Sequence, residues 1–174
     1  MKDFVGPGAL VEVVLGGLLL RPAQYREVVR EPASTRLCFA VAVLGGVATG
    51  IGRAEEIGLA PVMAVLLHVI VTLLTVATES GVVWIAARAG IRPRVGYGAV
   101  VRPMALATAP RLVYALLGLG TGVPALELLG TVWLLAAFVL AVEAALERGW
   151  AVAVAVALGV GVLRWATSLF IQML

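Results

Sequence analysis

The sequence predicts an all-α integral membrane bundle of five transmembrane helices, preceded by a short interfacial amphipathic elbow. Three observations carry that prediction. The 174-residue chain is 62% hydrophobic and only 13% charged, where soluble domains average about 25% charged residues. Its mean hydropathy is +1.08, too apolar to coat a water-facing surface. Its arginines gather at the ends of apolar runs, and a net charge of +3 arranged in this way excludes a nucleic-acid partner.

Residues 1–34 read as the elbow and residues 35–174 as the transmembrane domain. The run ALVEVVLGGLLL at 9–20 is twelve residues long. That is too short to span, so it reads as an interfacial or re-entrant segment. Arg21-Pro22 stands where a secretory signal would need a small-residue cleavage site. Pro22 suits a first helical position, and PAQYREVVRE reads as a short helix stopped by Pro32. Tyr25, Val28 and Val29 give this helix an apolar side, while Arg21, Arg26 and Arg30 can reach lipid phosphates. The elbow is therefore expected to lie on the membrane face.

The first span covers about 35–51, with Ala42, Gly46 and Gly50 at four-residue spacing. Such a small-residue face lets a neighbouring helix come close. A polar turn of Arg53, Glu55 and Glu56 leads to the second span, about 58–88. Within it His68, Thr72, Thr75 and Glu79 step by four, three and four residues, which puts them on one helix face. Polar groups are costly in hydrocarbon, so this stripe should point into the bundle.

A short basic loop with Arg92, Pro93, Arg94 and Tyr97 precedes the third span, about 99–119. Read as one helix, 99–120 is about 33 Å long. Arg102 lies within a turn of its entry and is expected to snorkel to the headgroups. Arg111, about 13 residues in, is too deep for that and must face protein or water. Pro103 and Pro110 each remove a backbone hydrogen bond and read as a kink or a hinge.

The turn GLGTGVP at 118–124 leads to the fourth span, about 123–147, which carries Glu127, Glu143 and Glu147. The fifth span, about 150–174, carries Arg164 and a second small-residue face with Ala155 and Gly159. Basic residues crowd the chain before the first span, the loop after the second and the end of the fourth; the other two loops hold only Arg53. The N-terminus is therefore expected in the cytoplasm and the C-terminus outside. The chain has no Asn and one Lys among its 13 basic residues. That composition points to the cytoplasmic membrane of a GC-rich or heat-loving prokaryote.

Several motifs together resemble the YIP (Ypt/Rab-interacting protein) domain family, in its bacterial branch. Arg102, Ala107 and Pro110 stand in the order of its third helix, and Trp133 matches a Trp in its fourth. Ala141, Val142, Ala145, Leu146 and Glu147 match the end of that helix, and Leu19, Leu20, Arg21 and Pro22 match the lead into the elbow. The chain departs from the pattern at Ala105 and Leu106, and at Glu143 where a basic residue often stands. The resemblance implies five spans, a cytoplasmic N-terminus and no catalytic residues. The family's eukaryotic members look like trafficking and membrane-shaping factors that bind small GTPases.

The candidate site residues are the intramembrane polar groups. Glu79 and Glu127 are the expected partners of Arg111, as a structural ion pair or as part of a proton or ion relay along His68, Thr72, Thr75 and Glu79. His68 could also ligate a haem, but it has no second ligand in the pattern. No Cys/His or His/carboxylate cluster stands at metal spacing, no phosphate loop occurs, and no serine has a nucleophile elbow. Cys38 is the one cysteine and reads as a small buried hydrophobe. No cofactor is expected. The expected partners are the lipid bilayer and a second membrane protein or another copy of this chain. Two functions fit: a non-enzymatic scaffold or accessory subunit of a membrane complex, and a small permease or proton-conducting protein. An enzyme acting on lipid headgroups would need a nucleophile or metal constellation that the pattern does not offer.

Overall fold

The first helix, α1, is Pro7–Leu18, and it ends on a residue in left-handed backbone, Leu20 at φ 51°. The Leu20 N–H donates to the Gly17 carbonyl at 3.3 Å and the Arg21 N–H to the Gly16 carbonyl at 3.0 Å. These two bonds close the helix end and turn the chain into α2, Pro22–Arg30. Pro22 begins α2 because its missing N–H would have had no helical partner there, and Pro32 prevents its continuation. A 3-10 turn, Pro32–Ser34, then leads into α3, Thr35–Arg53. The computed structural model describes residues 7–55, 58, 60–119 and 124–172, with side chains at 8–55, 58, 60–116 and 128–162.

Helix α4, Pro61–Ala86, runs antiparallel to α3 and packs closely on it. A Cβ on Gly46 would stand 2.7 Å from Val69 Cα, and one on Gly50 2.5 Å from Val65 Cα. Only the absence of a side chain allows that approach. Helix α4 passes into a π turn, Ala87–Ile91. The loop after it folds back on α4: Trp84 Nε1 donates to the Val95 carbonyl at 3.1 Å and the Tyr97 hydroxyl to the Ala77 carbonyl at 2.9 Å.

The third expected span is not one α-helix, which corrects the sequence reading. Helix α5 is Tyr97–Leu106, and the chain continues as a 3-10 segment, Ala109–Leu119. Pro110 is the physical reason. It has no N–H for the Leu106 carbonyl, and its ring disfavours α backbone at Ala109. The bonds that follow are of the shorter kind: Thr108 N–H to the Ala105 carbonyl at 3.2 Å and Arg111 N–H to the Thr108 carbonyl at 2.9 Å. Pro103 lies inside α5, so of the two prolines only the second breaks the helix. The last helices are α6, Pro124–Leu146, and α7, Trp150–Gln172, packed on each other.

Every described element is helical. Three helices among the described residues are long and apolar enough to cross a membrane: Pro32–Arg53, Pro61–Ile91 and Leu128–Leu146. The other two of the five expected spans are the split α5 segment and α7, whose described side chains stop at Val162. The core is built of small side chains, Val41, Val100, Ala105, Ala141 and Val142 among them, and it reaches into the elbow at Tyr25 and Val28. That last point is a second correction. The apolar face of α2 rests on α5 and α6, not on lipid.

Candidate functional site

Two places in the fold gather polar side chains, and they are built differently. The first is a set of helix ends held by donors from other elements, the latched end of the bundle. The last carbonyls of a helix have no partner within it, and in an apolar interior each must find a donor. Here the donors come from far along the chain. Arg102, only 8% exposed, donates from Nε to the Val28 carbonyl at 2.7 Å and from Nη2 to the Val29 carbonyl at 2.5 Å. One guanidinium thus closes the end of α2 with a two-pronged, charge-assisted contact. Trp133 Nε1 on α6 donates to the Leu18 carbonyl at 2.8 Å, closing α1. Arg92 Nη1 donates to the Ala145 carbonyl at 2.8 Å at the end of α6, and its Nη2 pairs with Glu147 at 3.0 Å. Arg26 on α2 pairs with Glu143 on α6 at 3.0 Å.

These contacts correct one expectation. Arg102 does not snorkel to the headgroups; its reach is taken by two backbone carbonyls, of which Val28's also accepts from the Ser34 hydroxyl at 3.3 Å. Arg26 pairs with Glu143 and remains 56% exposed. Burial in the same cluster pushes the Tyr25 phenol well above its ordinary range, so it stays neutral there.

The second place is a cavity of about 450 Å³ between the α3–α4 pair and α6–α7, with the 3-10 segment along it. His68, Thr75 and Glu79 of the predicted stripe line it. Thr72 is fully buried beside it, and its hydroxyl accepts from Arg111 Nη1 at 3.1 Å. The His68 Nδ1–H donates to the Ala64 carbonyl at 2.9 Å, one turn back on α4, which turns the other ring nitrogen outward from the helix backbone. Arg111 lines the same cavity as Glu79 and donates a hydrogen bond to Thr72, two turns before Glu79 on α4. The opposite wall is mostly apolar, Leu134, Leu135 and Phe138 from α6 and Val160 from α7, with Thr131 the hydroxyl residue on the α6 side.

No family model matches the chain, and no curated protein or solved structure matches it either.

Ala42 is buried, and Gly46 and Gly50 form the contact with α4. Ala155 and Gly159 are exposed, and a Cβ on Gly159 would meet nothing within 4 Å. Pro103 and Pro110 are both fully buried. The side chains of Glu127 and Arg164 lie outside the described residues, as do Glu56 and residues 120–123 of the predicted turn. Among the described residues, no group of three or more His, Cys, Asp or Glu stands close enough to hold a metal ion. The sequence reading missed Arg53 and Tyr114 as cavity residues. The Arg53 guanidinium lies over the Tyr114 ring at 5.7 Å. Arg53 sits at a helix end, where a basic residue reads as a topology signal, and no spacing rule ties it to a tyrosine 61 positions away.

Proposed function

We propose that this chain is a YIP-like, multi-pass membrane protein of five spans, with its N-terminus in the cytoplasm of a prokaryote. In this reading it acts by helix packing, as a scaffold or accessory subunit of a membrane complex, rather than by catalysis. The observation that supports it is how the latched end uses its polar groups. Arg102, Trp133, Arg92 and Arg26 all hold the chain's own helices together. The exposed surface of α4 is lined by Val62, Leu66, Ile70 and Leu74, a row suited to lipid or to another apolar helix. Crosslinking in native membranes, with mass spectrometry of the products, tests the reading. A partner or a second copy captured through the spans supports it. A strict monomer in detergent with no crosslinked partner removes it.

A second reading is favoured by the cavity. A small permease or proton-conducting protein would use His68, Thr75 and Glu79 with Arg111 as its polar path. Flux into proteoliposomes that falls in Glu79→Gln and survives in the exposed control Glu55→Gln supports this reading. No flux across a range of ions removes it.

A further inference from the structure

A groove of about 420 Å³ lies between α2 and the end of α6, lined by Arg26, Arg30, Glu143, Ala144, Glu147 and Arg148. Glu147 shapes it. Its backbone is left-handed, φ 50°, where glycine is the ordinary way to end a helix. The side chain has a use there: it pairs with Arg92 at 3.0 Å. Glu143 pairs with Arg26 at 3.0 Å, so each of these two carboxylates has a guanidinium of its own.

Arg30 and Arg148 are placed differently. Among the described residues Arg30 makes no hydrogen bond, ion pair or ring contact. Arg148 donates from Nη2 to the Ile91 carbonyl at 3.2 Å. A guanidinium has five N–H donors, so both side chains keep most of theirs for another acceptor. Glu127 of α6 stands on the same helix roughly 24 Å from Glu143, at about 1.5 Å per residue.

Aromatic residues set the level of the groove. Trp150, 73% exposed, follows the Arg148-Gly149 turn. Trp84 and Tyr97 meet edge to face at 6.1 Å beside the loop that Arg148 reaches. Such rings favour the headgroup layer of a bilayer. From the groove inward, Leu140 and Ala136 follow Glu143 at helical spacing on α6, and both are partly exposed. The polar end is thus continued by apolar surface along one helix face.

We propose that this groove binds the phosphodiester headgroup of one anionic phospholipid. The phosphate lies between Arg30 and Arg148, and an acyl chain follows Leu140 and Ala136 along α6. A guanidinium presents a planar fork that matches phosphate oxygens. The inference rests on the membrane-bundle reading and is independent of whether the chain is a scaffold or a permease. A merely basic membrane face would treat its exposed arginines alike; a groove distinguishes those that line it.

The test uses the full chain in nanodiscs of phosphatidylcholine, with native mass spectrometry counting retained molecules. Three probes are titrated: phosphatidylglycerol, diacylglycerol and inorganic phosphate. One phosphatidylglycerol per chain is expected, at least about tenfold tighter than diacylglycerol, and inorganic phosphate should not displace it. Arg30→Gln and Arg148→Gln should each weaken it about tenfold. Gly149→Trp should block it by filling the groove, since a Cβ at Gly149 meets nothing within 4 Å and the fold can accept the side chain. Arg36→Gln is the control: Arg36 is exposed beside the elbow but does not line the groove, and the variant should bind as the parent does. Phosphatidylglycerol held no better than diacylglycerol or phosphatidylcholine overturns the proposal. So does equal weakening in Arg36→Gln and Arg30→Gln, or undiminished binding in Gly149→Trp. Displacement by inorganic phosphate overturns the lipid as ligand, since a free anion would then suffice. Failure of the chain to enter nanodiscs at all would instead overturn the membrane reading.

Discussion

The latched end and the cavity both hold arginines inside an apolar bundle, yet they satisfy them in opposite ways. At the latched end the acceptors for Arg102 are main-chain carbonyls of α2, fixed by the helix itself. In the cavity Arg111 donates to the hydroxyl of Thr72, a side chain. A carbonyl at a helix end is an acceptor the fold cannot remove, so the first arrangement ties one helix rigidly to another. A hydroxyl can rotate, and the space beside it is open, so the second arrangement can exchange partners. The comparison separates charges bound to fixed main-chain acceptors from charges bound to side chains that can rearrange.

The largest expected effect breaks the latched end. Arg102→Leu leaves the Val29 carbonyl buried without its donor and the Val28 carbonyl with only the Ser34 hydroxyl, 3.3 Å away. It should lower stability by about 3 kcal/mol or more, measured by thermal melting in detergent. Arg102→Lys should recover less than half of that, because an ammonium cannot present two parallel N–H groups to two carbonyls.

Next comes the contact that holds the cavity's α4 wall. Gly50→Val should cost about 1–3 kcal/mol by forcing α3 and α4 apart. It should also change the cavity while leaving the end of α2 in place. Trp133→Phe removes the indole donor to the Leu18 carbonyl and should cost about 1–2 kcal/mol. The smallest effect has the opposite sign. Leu20 sits at φ 51°, where a side chain is disfavoured, so Leu20→Gly should raise stability by about 1 kcal/mol. A loss instead would show that the Leu20 side chain contributes more packing than its backbone costs.

The helices themselves were largely legible in the sequence, for reasons that are local. Pro22 and Pro32 bracket α2, and the apolar runs at about 35–51 and 58–88 contain most of α3 and α4. The stripe of His68, Thr75 and Glu79 was legible as a face because helical periodicity alone puts these residues together. What lay beyond reach depended on distant neighbours. An apolar side on α2 does not say whether lipid or α5 and α6 will cover it. Arg102 near a span entry reads as a headgroup residue until the carbonyls of Val28 and Val29, more than 70 positions away, are seen beneath it. The 3-10 segment was half legible: Pro110 announces a break but not what the chain does after it.

The two kinds of arginine site differ most in what each one anchors, and hydrogen exchange in nanodiscs reads this directly. Comparing the parent chain with Arg102→Leu, the account predicts that peptides covering residues 19–34 exchange at least about tenfold faster in the variant. Peptides covering residues 61–86, along the cavity, should exchange as before. Unchanged exchange over 19–34 would contradict the claim that a single guanidinium holds the elbow to the bundle.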